Sequence, residues 1–353
     1  MSVSGQPAPN QPAPNLPAPP DQSLLPNLSV IIVSYNTRAM TLACLRSVLD
    51  QTKGSFEVLV VDNGSQDGSA AAIAAEFPGL PEFSGLPEFS GLPEFSGLTV
   101  LAEAENHGFA KANNPAAAIA RGDMLLLLNP DTLVLEGAID TLLAFAKARP
   151  EAKVWGGRTV FADGALNPAS CWRRMGLWGL FAQATGLTSI FRNSALCNRE
   201  GYGGWDRATE RQVDIVSGCF LMISRADWQA LGGFHPDFFM YGEEADLCLR
   251  AAKVLGARPR VTPEARIVHY AGASETVRAD KMVRLLKAKR LLIRRHFPAW
   301  QQPLALGLFS AWPLSRWLAL SGLSLTGRAS WVDSARTWGE IWARRGEWRT
   351  HLG

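Results

Sequence analysis

LSVIIVSYN, residues 28–36, runs from an apolar, β-branched segment into a cluster of polar residues. The pattern recurs in VLVVDNG at residues 58–64 and in MLLLLNPD at residues 124–131. Apolar runs of this length predict β-strands, and the helix-like segments between them predict βαβ units around a largely parallel sheet. Ligands bind such sheets at the carboxyl ends of the strands. We therefore expect the three polar clusters on one edge of an α/β fold, where they would form a nucleotide-diphosphate site.

The composition is that of a globular protein of 353 residues. A net charge of +3 argues against a general nucleic-acid binder, so we expect no nucleic-acid partner. The five cysteines are scattered without a CxxC pair, which predicts neither a zinc site nor a disulfide framework. The N-terminus lacks a basic stretch followed by an apolar core, and we therefore expect a cytoplasmic protein.

Composition also divides the chain into three parts. Residues 1–27 are rich in proline, alanine, asparagine and glutamine, which predicts a disordered lead. Residues 28–300 read as the main α/β domain, and residues 301–353 as a tryptophan-rich helical tail. Within the main domain the hexapeptide GLPEFS occurs three times over residues 79–96, and we interpret it as a duplication in a surface loop.

The tail allows two interpretations that the sequence leaves open. Residues 304–325 are apolar but are interrupted by Pro313 and Arg316, which makes a membrane-spanning helix a poor prediction. The last helix places Trp331, Trp338 and Trp342 on one side, with arginines elsewhere. This pattern suits peripheral contact with the inner face of the cytoplasmic membrane, and it suits packing against the main domain equally well.

Several polar residues near the predicted strand ends could bind a nucleotide. Asp62 can accept hydrogen bonds from a base or a ribose hydroxyl, although Asx turns and helix caps also favour the Asp62-Asn63 pair. Gly108 would let the backbone approach a ligand, and the helix that begins near Phe109 and contains Asn113 offers amides for an anion. A simple helix cap is the competing interpretation.

A divalent-metal site is indicated by two further residues. Asp131, in the turn Asn129-Pro130-Asp131, could supply the carboxylate that Mg²⁺ or Mn²⁺ prefers together with phosphate oxygens. His269 ends a strand-like run and could be a second ligand, with Ser274 on a phosphate. Ordinary turn chemistry would explain the same tripeptide.

The densest acidic cluster opens a predicted helix. Glu243 and Glu244 follow the apolar residues 238–241, a setting that raises the pKa of a carboxylate toward the value that a general base needs. Asp246 lies four residues before Arg250, so the two side chains could form a structural ion pair. Helix-dipole complementarity explains part of the cluster, which leaves the two glutamates as candidate catalytic residues.

These motifs are similar, in order and spacing, to those of the family 2 glycosyltransferases of the GT-A fold, and in particular to the rhamnosyltransferase-like bacterial branch. The motifs that carry the resemblance are VIIVSYN at 30–36, VDNGS at 61–65, NHGFA at 106–110, LNPD at 128–131, FFMYGEEADL at 238–247, and His269. The resemblance implies a Rossmann-like, mostly parallel sheet flanked by helices, with a C-terminal helical extension. Residues 28–131 would form its nucleotide-binding half and residues 132–275 its acceptor half.

The resemblance implies an inverting, metal-dependent transfer of a sugar from a dTDP- or UDP-linked donor, with rhamnose from dTDP-rhamnose favoured. The acceptor would be a hydroxyl of a polysaccharide or lipid-linked glycan. Mg²⁺ or Mn²⁺ would be held by Asp131 and His269. Glu244 stands at the position of the family's catalytic base, where Asp is more frequent, and Glu243 lies beside it.

The resemblance also implies contacts for both substrates. The residues assigned to the nucleotide sugar are Ser34, Tyr35, Asn36, Asp62, Asn63, Gly108, Phe109, Asn113, Asn129 and Ser274. Those assigned to the acceptor are Trp172, Ser217, Gly218 and Asp246.

Other function classes explain the sequence less well. A non-catalytic carbohydrate-binding or scaffold relative would keep the fold, but the joint presence of Asp131, Glu244 and His269 argues against it. A dinucleotide dehydrogenase should carry GxGxxG after the first strand, and a sugar nucleotidyltransferase should carry a glycine-rich basic loop there. Neither pattern is present.

Overall fold

The computed structural model describes residues 26–77, 95–270 and 278–349. Three features of the sequence lie outside these residues: nearly all of the proline-rich lead, most of the hexapeptide repeat, and Ser274. Within the described ranges the chain alternates strands and helices, as the apolar periodicity predicts.

The strands are β1 (Leu28–Ser34), β2 (Phe56–Asn63), β3 (Phe95–Glu103), β4 (Met124–Leu128), β5 (Thr132–Val134), β6 (Val154–Val160), β7 (Cys171–Trp172), β8 (Arg211–Gln212), β9 (Ile215–Val216), β10 (Phe220–Ser224) and β11 (Arg260–His269). The helices are α1 (Arg38–Gln51), α2 (Ser69–Glu76), α3 (Phe109–Ile119), α4 (Ala138–Ala148), α5 (Leu177–Ala184), α6 (Leu187–Ile190), α7 (Arg225–Leu231), α8 (Glu243–Leu255), α9 (Arg278–His296), α10 (Gln302–Ser324), α11 (Ala329–Ala343) and α12 (Arg345–Arg349).

The central sheet has the order β3-β2-β1-β4-β10-β6-β11-β5, with β8 paired to β11. Its first four strands are parallel, which confirms the βαβ organisation predicted for residues 28–131. The second half is mixed, because β10 runs antiparallel to both β4 and β6. A parallel sheet is covered on both faces, and all seven residues of β1 are accordingly buried. The α/β fold with a largely parallel sheet is therefore confirmed.

Helices cover both faces of the sheet, and each face has its own apolar core. A third cluster holds the C-terminal helices against the main domain. Phe309 and Trp348 are fully buried at its centre, and Trp338 and Trp342 pack around them. The tail tryptophans thus contribute to a hydrophobic core, as the packing interpretation predicted. No helix among the described residues is long and apolar enough to cross a membrane.

Three local features complete the fold. The apolar run 213–223 is divided into β9 and β10 by a break before Phe220. The segment 163–212 contains the short helices α5 and α6. Pro115 lies inside α3, and α10 continues through Pro313 as a single helix.

Candidate active site

A cavity of about 1330 Å³ opens at the carboxyl ends of the parallel strands, where polar clusters from both halves of the chain meet. The predicted site residues that line it are Tyr35, Asn63, Phe109, Asn129, Asp131, Trp172, Ser217, Gly218, Glu243, Glu244 and His269. The cavity is large enough for a nucleotide sugar and part of a second substrate. The sheet edge expected from the strand pattern is therefore the wall of a substantial cleft.

Sheet pairing brings the two candidate metal ligands together from distant parts of the sequence. Antiparallel pairing of β11 with β5 sets His269 opposite Thr132, next to Asp131. The main-chain N–H of Tyr270 donates to the Asp131 carbonyl at 3.0 Å and fixes this register. As a result, His269 Nε2 lies 3.5 Å from Asp131 Oδ1, and both side chains are largely buried.

The chemistry of this pair fits a divalent cation. Burial by itself lowers the pKa of His269, but the neighbouring Cys219 and Asp131 outweigh burial and raise it to about 10. A cation bound by Asp131 would compete with that imidazole proton. The second ring nitrogen, Nδ1, is buried without a hydrogen-bond partner in the described residues. Two protein ligands completed by phosphate oxygens suit Mg²⁺ or Mn²⁺, and the described part of the chain holds no cluster of three or more ligating side chains.

Glu243 and Glu244 open α8 and face the same cleft. Burial, followed by repulsion from Glu244, raises the pKa of Glu243 well above its ordinary value. Burial also raises the pKa of Glu244, against the opposing effect of main-chain N–H groups and of Lys289. Glu243 is buried and Glu244 is partly buried, and repulsion between the two carboxylates favours protonation of one of them. Because Lys289 favours the charged form of Glu244, we assign the retained negative charge to Glu244.

Asp246 is the one acidic residue of this cluster that does not line the cleft. Its carboxylate is fully buried and accepts from Arg250 at 2.7 Å, from Arg295 at 2.8 Å and from His296 at 2.8 Å. The His296 and Arg295 hydrogen bonds, with that of Arg250, outweigh burial and hold the pKa of Asp246 below its usual range. The predicted ion pair with Arg250 is confirmed. The assignment of Asp246 to the acceptor is corrected, because its oxygens hold α8 to α9.

On the donor side, several predicted contacts prove to shape the loops of the protein. Ser34 is fully buried and hydrogen-bonds Thr37 and Thr41. Asn36 is exposed, and its side chain accepts from the Gln66 main chain at 2.8 Å, which joins the loops after β1 and β2. Neither residue lines the cleft. Their predicted contacts with the nucleotide stay predictions, and the geometry gives both a structural role.

Asp62 is 5 % exposed, and both of its carboxylate oxygens are engaged. One accepts from Ser65 N and the other from Ala70 N in the first turn of α2, each at 3.1 Å. This is the turn and helix-cap geometry that the sequence allowed as the alternative to base binding. Asn63 continues the pattern but does line the cleft, and its amide holds the Asn106 side chain at 3.0 Å.

The glycine before α3 serves packing in the described structure. Gly108 has φ +83°, and a Cβ at this position would lie 2.3 Å from the Phe239 carbonyl oxygen. The N–H of Phe109 donates to that same carbonyl at 2.7 Å, so this amide is not free for an anion. Asn113 is also buried, with its side chain donating to the Phe109 carbonyl. The geometry gives Gly108 and Asn113 a structural role, and their predicted contacts with the ligand stay predictions.

The predicted acceptor residues Trp172, Ser217 and Gly218 do line the cleft. Pairing of β7 with β9 places Trp172 beside Ile215, and the break before β10 leaves Ser217 and Gly218 facing the cavity. A Cβ on Gly218 would lie 3.6 Å from the Glu244 Cβ. Any acceptor in this region would therefore approach the candidate base directly.

The sequence reasoning missed the contribution of α9. Lys289 faces the cleft, forms an ion pair with Glu200 and favours the charged form of Glu244. Its helical spacing from Leu286 and Ile293 puts a lysine in the apolar stripe of α9, which is the signal that could have identified it. Cys219 is buried in the core and also lies beside His269.

Comparison with known proteins agrees with this geometry. Residues 29–197 match the model of the family described as glycosyl transferase family 2. The chain therefore contains a family 2 glycosyltransferase domain. It is 28 % identical over 300 residues to the N-acetylglucosaminyl-diphospho-decaprenol L-rhamnosyltransferase of Mycobacterium tuberculosis, covering 78 % of this chain and 87 % of that protein. It is 25 % identical over 208 residues to the rhamnosyltransferase WbbL of Escherichia coli K12, covering 54 % and 74 %.

Solved structures of this glycosyltransferase's neighbours show its GT-A fold. The mannosyltransferase PcManGT from Pyrobaculum calidifontis, solved with GDP-Man and Mn²⁺, aligns over 95 % of this chain and 91 % of its own, with a TM-score of 0.53 and 18 % identity. GalNAc-T7, solved with UDP, GalNAc and Mn²⁺, aligns over 77 % of this chain and 48 % of its own, with a TM-score of 0.51 and 16 % identity. The matched family segment ends before Glu243, Glu244 and His269, so those residues rest on the geometry.

Proposed function

We propose that this glycosyltransferase catalyses an inverting, metal-dependent transfer from a nucleotide-diphosphate sugar to a hydroxyl of a polysaccharide or lipid-linked glycan. One observation carries the proposal: the adjacent carboxylates Glu243 and Glu244 face the same cleft as the pair Asp131 and His269. A basic carboxylate and a cation-binding pair across one cavity are the two elements that sugar transfer from a diphosphate needs.

Glu244 is the general base. It accepts the proton of the acceptor hydroxyl while the hydroxyl oxygen attacks the anomeric carbon of the donor sugar. The bond from that carbon to the diphosphate oxygen breaks on the opposite face, so the configuration inverts. Glu243 carries a proton and limits the negative charge in the pocket, which lets Glu244 stay ionised and able to accept a proton.

Asp131 and His269 hold the donor end of the cleft. A divalent ion held by these two side chains would supply electrostatic stabilisation of the departing diphosphate. Tyr35, Asn63 and Asn129 line the adjoining wall and are available to the nucleotide. Mn²⁺ in the two solved GT-A neighbours supports divalent-metal use.

The favoured donor is dTDP-rhamnose, with UDP-linked sugars as the alternative. Both curated relatives are named rhamnosyltransferases, and the mycobacterial name specifies an N-acetylglucosaminyl-diphospho-lipid as acceptor. These names support rhamnosyl transfer during synthesis of a bacterial surface polysaccharide. The acceptor would approach through Trp172, Ser217 and Gly218, with Lys289 beside the base.

Isothermal calorimetry with a panel of nucleotide sugars tests the proposal, with Mn²⁺ and with EDTA. We expect one donor to bind at micromolar concentration only with the metal. Asp131→Asn should weaken that binding at least about tenfold, because altering even the residues around metal ligands costs 10- to 100-fold. Asp123→Asn on the exposed surface is the matched control.

Absence of binding to every donor, in a sample whose folding is verified by circular dichroism, would contradict the proposal. The result would favour the non-catalytic carbohydrate-binding relative. Metal-independent binding of a donor would leave the proposed transferase activity in place. It would contradict the metal-binding role assigned to Asp131 and His269.

A further inference from the structure

Helix α10 exposes an apolar face to solvent. Positions spaced by three or four residues lie on one side of a helix, and on α10 the outward positions are apolar or small: Leu304, Gly307, Ala311, Leu314, Leu318 and Gly322. Leu304 and Leu318 are each 57 % exposed, and Leu325, just beyond the helix, is 88 % exposed. Arg316 is the sole charged residue of α10. A surface helix normally places polar residues outward, so this face is suited to an apolar environment.

The apolar surface continues onto the helices that pack beside α10. Arg316 hydrogen-bonds Ser189 of α6 and joins the two elements. Trp178, Phe181, Ile190, Phe191 and Leu196 are all exposed in this neighbouring segment. Together with α10 they form what we name the α5–α10 surface, defined by residues 173–199 and 302–328. Exposed apolar side chains concentrated in this way mark an interaction site.

The charge of the α5–α10 surface has one sign. Neither of its two segments contains an aspartate or glutamate, although the whole chain carries 32 acidic residues. The two segments contain six arginines, of which Arg192, Arg199 and Arg328 are exposed. Arginines bordering an apolar surface match a layer that has anionic groups outside and hydrocarbon inside. A second copy would set these arginines against their own equivalents in a two-fold interface.

The surface is continuous with the entrance of the candidate active site. A side cavity of about 440 Å³ is lined by Leu177 and Trp178 of α5 and by Arg199. Arg174, Met175, Gly176 and Glu200 line both this cavity and the main cleft. The acids at this junction are engaged, since Glu200 pairs with Lys289 and Asp214 accepts from the Arg174 main chain. An acceptor anchored in a layer below the α5–α10 surface would enter the cleft from that side.

We propose that the α5–α10 surface docks the protein on an anionic phospholipid bilayer, with the acceptor side of the cleft turned toward the lipid. The leucines of α10, the aromatic residues of α5 and Phe191 after α6 insert between the headgroups, and the exposed arginines bind the lipid phosphates. Trp338, Trp342 and Trp348 of the tail are not the contact, because they are packed in the third core. This proposal deepens the proposed function by placing the acceptor at a membrane.

Vesicle flotation of the full chain tests the docking and requires no turnover. We expect binding to vesicles containing phosphatidylglycerol, weaker binding to phosphatidylcholine alone, and a decrease with added salt. Leu304→Ser combined with Leu318→Ser should reduce binding at least about tenfold, because it removes two inserted side chains. The matched control combines Ile119→Ser with Val254→Ser, which are similarly exposed but lie elsewhere.

The arginines are tested separately. Arg192→Glu with Arg199→Glu should reduce binding to phosphatidylglycerol vesicles at least about tenfold, since each basic residue near an anionic surface contributes about fivefold. Lys147→Glu, an exposed charge reversal on α4, should leave binding unchanged. Equal losses in the control and test variants would overturn the proposal, as would a lack of vesicle binding by the unmodified chain.

Two further measurements separate this proposal from its alternatives. Light scattering after size exclusion reports whether the α10 leucines hold a dimer, and dissociation of a dimer by the serine variants would replace the bilayer with a second copy. Transfer to a water-soluble acceptor should be unchanged in all the docking variants. Vesicle binding without any transfer would contradict the proposed function alone, and transfer without vesicle binding would contradict the docking alone.

Discussion

Two regions of the cleft differ in how their polar atoms are satisfied: the loops after β1 and β2 on the donor side, and the reactive residues of α8 and β11. In the loops, Asp62 and Asn36 accept hydrogen bonds from neighbouring main-chain N–H groups. In the reactive region, Glu243 Oε2 and His269 Nδ1 are buried without a hydrogen-bond partner in the described ranges. Buried polar atoms without partners are destabilising, so a ligand that hydrogen-bonds to these two atoms would remove that cost. The loops supply shape, and the second region supplies reactive groups.

The strongest test of this comparison is Glu244→Gln, which keeps the size of the side chain and removes its basicity. We expect kcat to fall about 100- to 10,000-fold, the usual contribution of a general base. Donor affinity measured by calorimetry should not change. Glu264→Gln, an exposed residue of β11, is the matched control. Near-normal turnover in the Glu244 variant would show that Glu244 is not the general base. The contrast between the two regions of the cleft would then fail.

The buried ion cluster at Asp246 should respond next most strongly. Asp246→Asn leaves Arg250, Arg295 and His296 without their shared carboxylate, and breaking a buried pair costs about 3–5 kcal/mol of unfolding free energy. Urea titration measures this loss. Asp333→Asn removes an exposed partner of Arg336 and should cost about 0–1 kcal/mol. An Asp246 variant as stable as the unmodified protein would show that α8 is positioned by its apolar packing alone.

The Asp246 cluster also sets a direction for the pH dependence of stability. The folded-state pKa of Asp246 is depressed, so its contribution is present above the pKa of the unfolded chain. That contribution is lost as the pH falls through the folded-state pKa. In acid, the difference in unfolding free energy between the unmodified protein and Asp246→Asn should therefore shrink.

Asp62 tests the donor side of the comparison. Asp62→Ala removes two hydrogen bonds to main-chain N–H groups and should cost about 1 kcal/mol of unfolding free energy, as for a lost helix cap. With the donor saturating, kcat should be unchanged. A loss of nucleotide affinity larger than the loss of folded protein would instead support the contact with the base that the sequence predicted, and would narrow the difference between the two regions.

The smallest expected effect is a displacement of the pH profile. Transfer requires Glu244 in its charged form, and burial raises the pKa of Glu244, so the acidic limb of kcat should lie above the pH of an ordinary glutamate. Glu243→Gln mimics the protonated form of Glu243, so the limb should keep its position. A limb that moves to lower pH would show that Glu243 is charged when Glu244 titrates and would contradict the assignment of the proton to Glu243.

Much of the fold follows from local patterns in the sequence. Buried β-branched runs separated by helical periodicity predict the parallel strands β1, β2 and β4, and the polar turn after each strand predicts the cleft edge. The pairing of His269 with Asp131 does not follow from composition, because it depends on the antiparallel register of β5 and β11. The resemblance to the family 2 glycosyltransferases predicted that the two residues share a metal site, without any information on the strand register.

Other residues could not be assigned from the sequence, because the same residue type can either bind a ligand or stabilise the fold. Asp246 belongs to an acidic run whose first two members face the cleft. Its own carboxylate instead contacts Arg295 and His296. Those partners come from α9, about 50 residues later in the chain. The absence of a side chain at Gly108 would allow a ligand to approach the backbone, and it equally allows the Phe239 carbonyl to do so. Neither outcome could be selected without the tertiary packing.

Helix α9 passes through three environments along its length. Its N-terminal half contributes Lys281 and Arg284 to the cleft, its buried face packs on the C-terminal helices, and its last residues bind Asp246 at the start of α8. A fragment ended after the main domain would leave this helix without its supporting core, and a fragment shortened to the matched family segment would lack the helix altogether. The smallest active form of the enzyme should therefore extend through α12, whose Trp348 completes that core.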